Sequence, residues 1–333
     1  MTLAQEAPPP PRRRLSLVTG SFNEEGNVDE WFERTFAACA GLADRYELEV
    51  IWIDNASADA TVEKVRAWCA RDRRVKLIVN ARNFGVVRSP FHAMMQATGD
   101  ACVYLASDLQ DLPELIPDFV ARWEQGFDVV AGVYRQSPDG FLMRRCRAAY
   151  YAILTRVSDS DPVIRGFTGF GLFSRRVLEH MRHIGGPSPI TRALVAEIGL
   201  PSTTVAYDKP PRKYGATSND VLRLIDQAVL ALTSMSKAPV RIATIVGLAL
   251  SAFGFVMAAC YLIAKLLFWD SFPLGQAPLL IGIFLFSSVQ ILIMGLIGEY
   301  VAAIHQRLQR HPWVVEKTRV NFDEDAPASR QDF

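Results

Sequence analysis

The stretch Ser107-Asp108-Leu109-Gln110-Asp111 follows an apolar run, Ala101-Cys102-Val103-Tyr104-Leu105-Ala106, that reads as a buried strand. A carboxylate and an amide at a strand end supply the hard oxygen donors that Mg²⁺ and Mn²⁺ take. In open α/β sheets, ligands sit outside the carboxyl ends of the strands. An ordinary polar turn fits the same residues. Asp111-Leu112-Pro113-Glu114 also has the pattern of a helix start, with Asp111 as N-cap, Pro113 in the first turn and Glu114 closing a capping box. Asp108 and Gln110 precede that cap, where helix initiation does not call for them, and they are the candidate metal ligands.

Other strand tips carry polar groups as well. Asp54-Asn55-Ala56-Ser57-Ala58-Asp59 follows the run Leu48 to Ile53. Capping of the next helix accounts for Ser57 and Asp59, whereas Asp54 suits a contact to a base or ribose. Asn80-Ala81-Arg82-Asn83-Phe84-Gly85 follows Val75 to Val79, and its cation and glycine fit a diphosphate clamp. Arg82 as a solvent-facing ion-pair partner fits equally. Gly20-Ser21-Phe22-Asn23-Glu24-Glu25 follows Leu15 to Thr19 without the glycine spacing of a dinucleotide fingerprint, and no Walker A sequence occurs. These absences disfavour nicotinamide, flavin and P-loop chemistry.

The elements that must position these tips alternate in type. The four strands named above and Asp128 to Val133 are β-rich, and the segments between them carry apolar residues at helical spacing. Val28, Trp31, Phe32, Thr35, Phe36 and Cys39 form one such stripe, which reads as core packing. This alternation predicts an α/β domain with a mostly parallel sheet and helices on both faces. With 333 residues, half of them hydrophobic, the chain has material for one large domain and a membrane segment. A net charge of +1 implies no nucleic-acid partner. Five cysteines without CxxC spacing favour packed thiols and a cytosolic catalytic portion.

Ile242 to Ala264 and Ala277 to Gly298 each run uncharged for more than about 20 residues, enough to cross a bilayer core. They predict a two-helix transmembrane hairpin within 240–310, with helices over about 242–268 and 277–304. Arg212, Lys213, Arg223, Lys237 and Arg241 precede it, and Arg307, Arg310, Lys317 and Arg319 follow it. The connecting loop carries Asp270, with Lys265 placed to snorkel. The positive-inside bias therefore puts both termini in the cytoplasm. Residues 219–239 place Leu222, Ile225, Val229 and Leu232 together, as in an interfacial amphipathic helix or a surface helix of the soluble domain. Residues 1–14, rich in proline and arginine and lacking a signal-peptide core, read as a disordered basic tail. Residues 311–333 read as a polar cytoplasmic tail, leaving 15–218 as the catalytic domain.

The ordered set Gly20-Ser21-Phe22-Asn23-Glu24-Glu25, Asp54-Asn55-Ala56-Ser57, Asn80-Ala81-Arg82-Asn83-Phe84-Gly85, Ser107-Asp108-Leu109-Gln110-Asp111 and Thr168-Gly169-Phe170-Gly171-Leu172, followed by a membrane hairpin, resembles the GT-A-fold family 2 polyprenyl-phosphate glycosyltransferases. These include dolichyl-phosphate mannose synthases and bacterial enzymes that glucosylate undecaprenyl phosphate. The resemblance covers roughly Leu15 to Arg310. It implies that Gly20, Phe22, Glu24 and Asp54 hold the nucleoside, that Asp108 and Gln110 bind Mg²⁺ or Mn²⁺ on the diphosphate, and that Arg135 and Arg144 contact the acceptor phosphate. The chain departs from the pattern at Ala106, where an aspartate is usual, at Gly20, where proline is common, and at Ser218, where lysine is frequent.

The resemblance implies inverting transfer of a hexose from a UDP- or GDP-sugar to a polyprenyl phosphate, for cell-envelope glycan or protein glycosylation. The acceptor phosphate is already anionic, so no strong general base is needed. Residence in the inner (plasma) membrane as a multi-pass protein follows, and a homo-oligomer is compatible with it. A processive polysaccharide synthase shares the nucleotide-binding half, but two crossings are too few for a channel and QxxRW is missing. A noncatalytic membrane-tethered nucleotide-sugar sensor is supported by Ala106 alone.

Overall fold

Strands β1 (Arg13–Ser21), β2 (Tyr46–Asp54), β3 (Val75–Asn80) and β4 (Ala101–Tyr104) are apolar on both faces. Leu15, Leu17, Val50, Trp52 and Leu77 enter one hydrophobic layer, whereas Val18, Ile51, Ile53 and Ile78 enter the other. Side chains alternate across a strand, so two covered faces give an unbroken apolar run. Helices α1 (Val28–Cys39) and α2 (Thr61–Arg71) pack on the first layer, and α3 (Gly85–Gln96) packs on the second. Helix α4 (Ile116–Glu124) joins the first layer, while α5 (Arg175–Ile184) and α6 (Thr191–Ile198) join the second. The computed structural model describes residues 12–135, 164, 166–184, 186, 189–210 and 312–322, with isolated helical positions between 263 and 304.

Four more strands complete an eight-stranded sheet: β5 (Val129–Tyr134), β6 (Phe167–Ser174), β7 (Ser202–Tyr207) and β8 (Glu316–Val320). The spatial order is β7-β5-β6-β4-β1-β2-β3-β8. β6 and β8 run against the other strands, which are mutually parallel. The predicted α/β class and mostly parallel sheet are therefore present, with helices on both faces. Cys39, Cys69 and Cys102 are buried free thiols, as packed cysteines should be.

The chain divides into two compact units. One comprises Met1–Thr155, Ser160–Ile225 and Arg310–Phe333, and the other Arg156–Asp159 and Asp226–Gln309. The sheet belongs to the first. Among the described residues no helix is long and apolar enough to cross a membrane. The predicted hairpin falls almost wholly outside those residues, as do the helix expected over 219–239, Lys265 and Ser218.

Several boundaries differ from the sequence-based expectation. β1 begins at Arg13, inside the stretch assigned to the tail, because Arg14 finds partners there: its guanidinium reaches Glu47 at 3.0 Å and Thr98 at 2.9 Å. β4 ends at Tyr104 rather than Ala106, since the Ala106 amide turns away to a side chain described below. Residues 311–333 are not all tail, because Glu316–Val320 forms the antiparallel edge strand β8 against β3. Its Lys317 and Arg319 disguise it as a solvated segment, yet such charges suit an exposed sheet edge.

β8 is anchored by ionic contacts as well as by its ladder. Glu316 Oε1 lies 2.5 Å from His92 Nε2 on α3, and Arg319 Nη2 donates to the same oxygen at 2.6 Å. Burial pushes the Glu316 carboxyl up, but Arg319 and His92 outweigh it and bring it down to about 2. A depressed carboxylate stabilises the fold above its unfolded pKa, and that contribution fades as pH falls from 4.5 toward 2. Glu316→Gln is accordingly expected to cost on the order of 2–3 kcal/mol near neutral pH. Urea unfolding across pH will check this, since wild type and variant should converge in acid. A loss that does not vary with pH would assign the effect to packing instead.

Candidate active site

Parallel pairing brings the carboxyl ends of β1, β2, β3 and β4 to one rim. Ser21 lies in register with Asp54, and Asp54 with Val79. Val18 pairs with Tyr104, and the Ser107 hydroxyl beyond β4 donates to the Gly20 carbonyl at 3.0 Å. A Cβ at Gly20 would stand 3.2 Å from Pro90 Cγ and 3.3 Å from Ile53 Cγ2, so glycine suits the close approach of α3 here.

Asp54 is fully buried and braces the rim. It accepts the Ser57 amide at 2.8 Å, the Ser57 hydroxyl at 2.5 Å and the Ser21 hydroxyl at 3.2 Å. Burial raises its carboxyl above the ordinary aspartate value despite these bonds. Ser57 thus serves Asp54 and accepts the Asn23 amide at 2.9 Å, while Asp59 does sit at a helix start, receiving the Thr61 amide at 3.0 Å. The loop after β1 is stitched to the loop after β2. Asn23 Oδ1 accepts the Ala58 amide, Glu25 accepts the Ala60 amide, and the Glu24 amide donates to Thr61, each at 2.9 Å. Glu24 Oε2 accepts Asn27 Nδ2 at 2.6 Å, and Phe22 projects from the rim 47% exposed.

At the end of β3, buried Asn80 donates to Asn55 Oδ1 at 3.1 Å, which also accepts the Phe84 amide at 2.8 Å. This fixes the loop that carries Arg82. The Arg82 guanidinium is exposed, lies 4.1 Å from the Phe84 ring centroid, and makes no carboxylate ion pair among the described residues.

The turn after β4 holds Asp108 and Gln110, with the Gln110 amide donating to Asp108 Oδ1 at 3.2 Å across Leu109 at φ 57°. Asp108 is 8% exposed. Gln110 Nε2 donates to the Pro210 carbonyl at 3.3 Å, which leaves Oε1 as the end of the amide with cation-binding chemistry. A carboxylate and an amide oxygen on one turn suit a hard divalent ion. No group of three or more His, Cys, Asp or Glu side chains gathers for a metal among the described residues, so substrate oxygens and water would have to complete the shell.

Asp111 does not cap a helix. The following short helix starts after Leu112, and Glu114 pairs with Arg34 at 2.8 Å rather than closing a capping box. Asp111 instead accepts the Ala106 amide at 2.9 Å and the Tyr207 hydroxyl at 3.0 Å. Burial, helped by the charge of Asp108, pushes its carboxyl up to about 6 against those two bonds. The Tyr207 ring packs edge-on against Phe170 of β6, with ring centroids 5.4 Å apart. The Thr168-Gly169-Phe170 segment thus meets the end of β7 through Tyr207, which reaches Asp111.

Arg135 follows β5 and reaches the same edge. Its amide donates to the Tyr207 carbonyl at 2.9 Å, and its exposed guanidinium lies 3.5 Å from Asp208. Arg144, with Arg145 and Arg147, lies outside the described residues. The sequence singled out neither Tyr207 nor the Asp208-Lys209-Pro210 turn. The signal was present as Val205 and Tyr207 alternating inward along β7, followed by a charged, proline-bearing turn.

Residues 16–182 match the family model described as "Glycosyl transferase family 2". The chain belongs to that family. Its sheet, rim and paired loops are the GT-A arrangement of a glycosyltransferase. The uncharacterized glycosyltransferase YkcC of Bacillus subtilis (strain 168) is 31% identical over 92% of this chain and 94% of its own length. The bactoprenol glucosyl transferase of Shigella phage SfII is 29% identical over 92% of this chain and 98% of its own. The undecaprenyl-phosphate 4-deoxy-4-formamido-L-arabinose transferase of Proteus mirabilis (strain HI4320) is 27% identical over 94% and 98%. Among solved structures, glucosyl-3-phosphoglycerate synthase of Mycobacterium tuberculosis with Mg²⁺ and uridine diphosphate superposes with a TM-score of 0.50. It is 17% identical and covers 67% of this chain and 79% of its own, a likeness of fold.

Proposed function

We propose that this family 2 glycosyltransferase is membrane-bound and moves a hexose from a nucleotide sugar to polyprenyl phosphate with inversion. The observation that carries this reading is the end-to-end match to the phage bactoprenol glucosyl transferase, which includes the apolar C-terminal third as well as the GT-A domain. The undecaprenyl-phosphate transferase of Proteus mirabilis supports the same acceptor class.

In this mechanism Gly20, Phe22, Glu24 and Asp54 frame the nucleoside, with Asp54 acting through the Ser21 and Ser57 bonds that shape the rim. Arg82 faces the diphosphate. Asp108 and Gln110 would hold Mg²⁺ or Mn²⁺, which when bound neutralises charge on the departing diphosphate. An oxygen of the acceptor phosphate attacks the anomeric carbon from the side opposite the diphosphate. The anomeric carbon–oxygen bond to the β-phosphate breaks, and nucleoside diphosphate leaves with that electron pair. The attacking phosphate is ionised at neutral pH, so the residues position and neutralise rather than remove a proton.

Membrane residence has support within the second unit. Leu279, Ile283, Phe286, Met294, Ile297, Val301 and Ile304 are helical and each is at least half exposed. So many exposed apolar side chains suit hydrocarbon rather than water. Together with the excess of Lys and Arg flanking the two apolar segments, this favours a multi-pass hairpin in the plasma membrane with the catalytic domain and both termini on the cytoplasmic side.

The deciding experiment incubates the purified full chain with undecaprenyl phosphate, Mg²⁺ and a panel of UDP- and GDP-sugars. Formation of a lipid-linked sugar with one donor is expected, and no transfer from any donor would overturn the reading. Arg135→Ala and Arg144→Ala should each raise the acceptor KM roughly tenfold to a hundredfold with donor affinity retained, since a charge-assisted contact to phosphate is worth about 1.5–3 kcal/mol. Weakened donor binding at unchanged acceptor KM would assign both arginines to the diphosphate.

A further inference from the structure

The turn after β7 is clamped to the Asp108–Asp111 turn on both sides of Lys209. Tyr207 donates to Asp111 Oδ1 at 3.0 Å, and Pro210 accepts Gln110 Nε2 at 3.3 Å. Two residues before and one after are thus fixed to the turn that would hold the metal, which leaves Lys209 little freedom to leave the rim. Two neighbouring charges already have partners among the described residues. Arg135 pairs with Asp208 at 3.5 Å, and the Asp111 carboxylate is occupied by Ala106 and Tyr207. Lys209 is half-buried and makes no ion pair among the described residues.

We infer that Lys209 is a phosphate contact of the transfer reaction, the residue being held by the clamped segment after β7 next to the turn of Asp108 and Gln110, from which its ammonium meets a phosphate oxygen at the reacting centre. The inference rests on the proposed function. The charge count supports it. A nucleoside diphosphate brings about three negative charges, and Asp108 adds another, against the two positive charges of a divalent ion and the one of Arg82. A half-buried ammonium at this point offsets part of the excess without spending an ion pair made elsewhere. A lysine suits the task because its compact charge needs no planar partner. The phosphate in question belongs either to the leaving diphosphate or to the acceptor lipid, and the two sources are separable by experiment.

The test compares the full-length wild type, Lys209→Ala and Lys209→Arg in detergent with Mg²⁺. Calorimetry gives the affinity for the nucleoside diphosphate of the active donor, steady-state transfer gives the acceptor KM and kcat, and thermal midpoints report folding. Lys209→Ala is expected to lower kcat/KM by about tenfold or more at an unchanged thermal midpoint, with Lys209→Arg recovering most of it. Weaker diphosphate binding places the contact on the leaving group, and a raised acceptor KM with normal diphosphate binding places it on the lipid phosphate. Unchanged kcat/KM in the alanine variant overturns the inference while leaving the proposed function intact. So does a loss that follows the thermal midpoint and is not recovered by arginine. Wild type that neither binds a nucleoside diphosphate nor transfers sugar overturns the proposed function and this inference together.

Discussion

Asp108→Asn is expected to lower sugar transfer by about a hundredfold or more while the protein stays folded. The substitution keeps the side chain's size and an oxygen that can accept the Gln110 amide, so the turn at Leu109 keeps its geometry. What it removes is the carboxylate charge, and with Ala106 at the neighbouring position there is no second aspartate to take its place. Asp108 lies at a strand tip outside both hydrophobic layers, so no cavity opens in the core. Transfer should be measured at saturating donor and acceptor over a Mg²⁺ and Mn²⁺ titration, with circular dichroism melting as the folding control. Turnover near that of wild type with either ion would remove Asp108 from the site.

The second large effect concerns the second unit. Replacing residues 226–309 with a flexible linker is expected to leave a soluble domain that binds nucleoside diphosphate with unchanged affinity. The longer segment of the second unit, Asp226–Gln309, lies between two segments of the first, so its excision spares every strand of the sheet. Transfer to a long-chain polyprenyl phosphate in liposomes should nevertheless fall by about a hundredfold or more. Confining enzyme and acceptor to one bilayer raises their effective concentration, a gain on the order of 10²–10⁴ when two partners are linked. A short-chain, water-soluble acceptor should restore much of the difference, because it meets the domain in solution. Equal rates in liposomes for the full and excised chains would show that residence in the bilayer contributes nothing to turnover.

Much of the framework was legible in the residues. Apolar runs buried on both faces, such as Val50 to Ile53, announce central strands because no polar side chain interrupts them. The α1 stripe from Val28 to Cys39 names its own buried face. Strand tips that end in Asp54, Asn80 and Asp108 point to one rim, since parallel strands place all their carboxyl ends together. What was less legible came from strands whose pairing is long-range. β6 carries glycines in place of branched residues, and β8 carries charges, so neither has the pattern of a strand until β4 and β3 supply its partner.

The sequence by itself determined the fold class and the order of the rim loops, and it placed the oxygen donors Asp108 and Gln110 in the turn after β4, because these depend on local periodicity and on residue type at strand ends. Only the tertiary structure decided what Asp111 does. Local pattern makes it a helix cap, whereas a hydroxyl from Tyr207, 96 residues away in the chain, and the Ala106 amide make it the joint between the β4 and β7 ends. The same holds for Asp54, whose carboxylate is buried against Ser21 and Ser57, and for Lys209, which gains its place only when Tyr207 and Pro210 are tied to a distant turn. Side-chain type fixes what a group is able to bond. Which partner it meets depends on contacts between segments far apart in sequence, and those arise only when the sheet assembles.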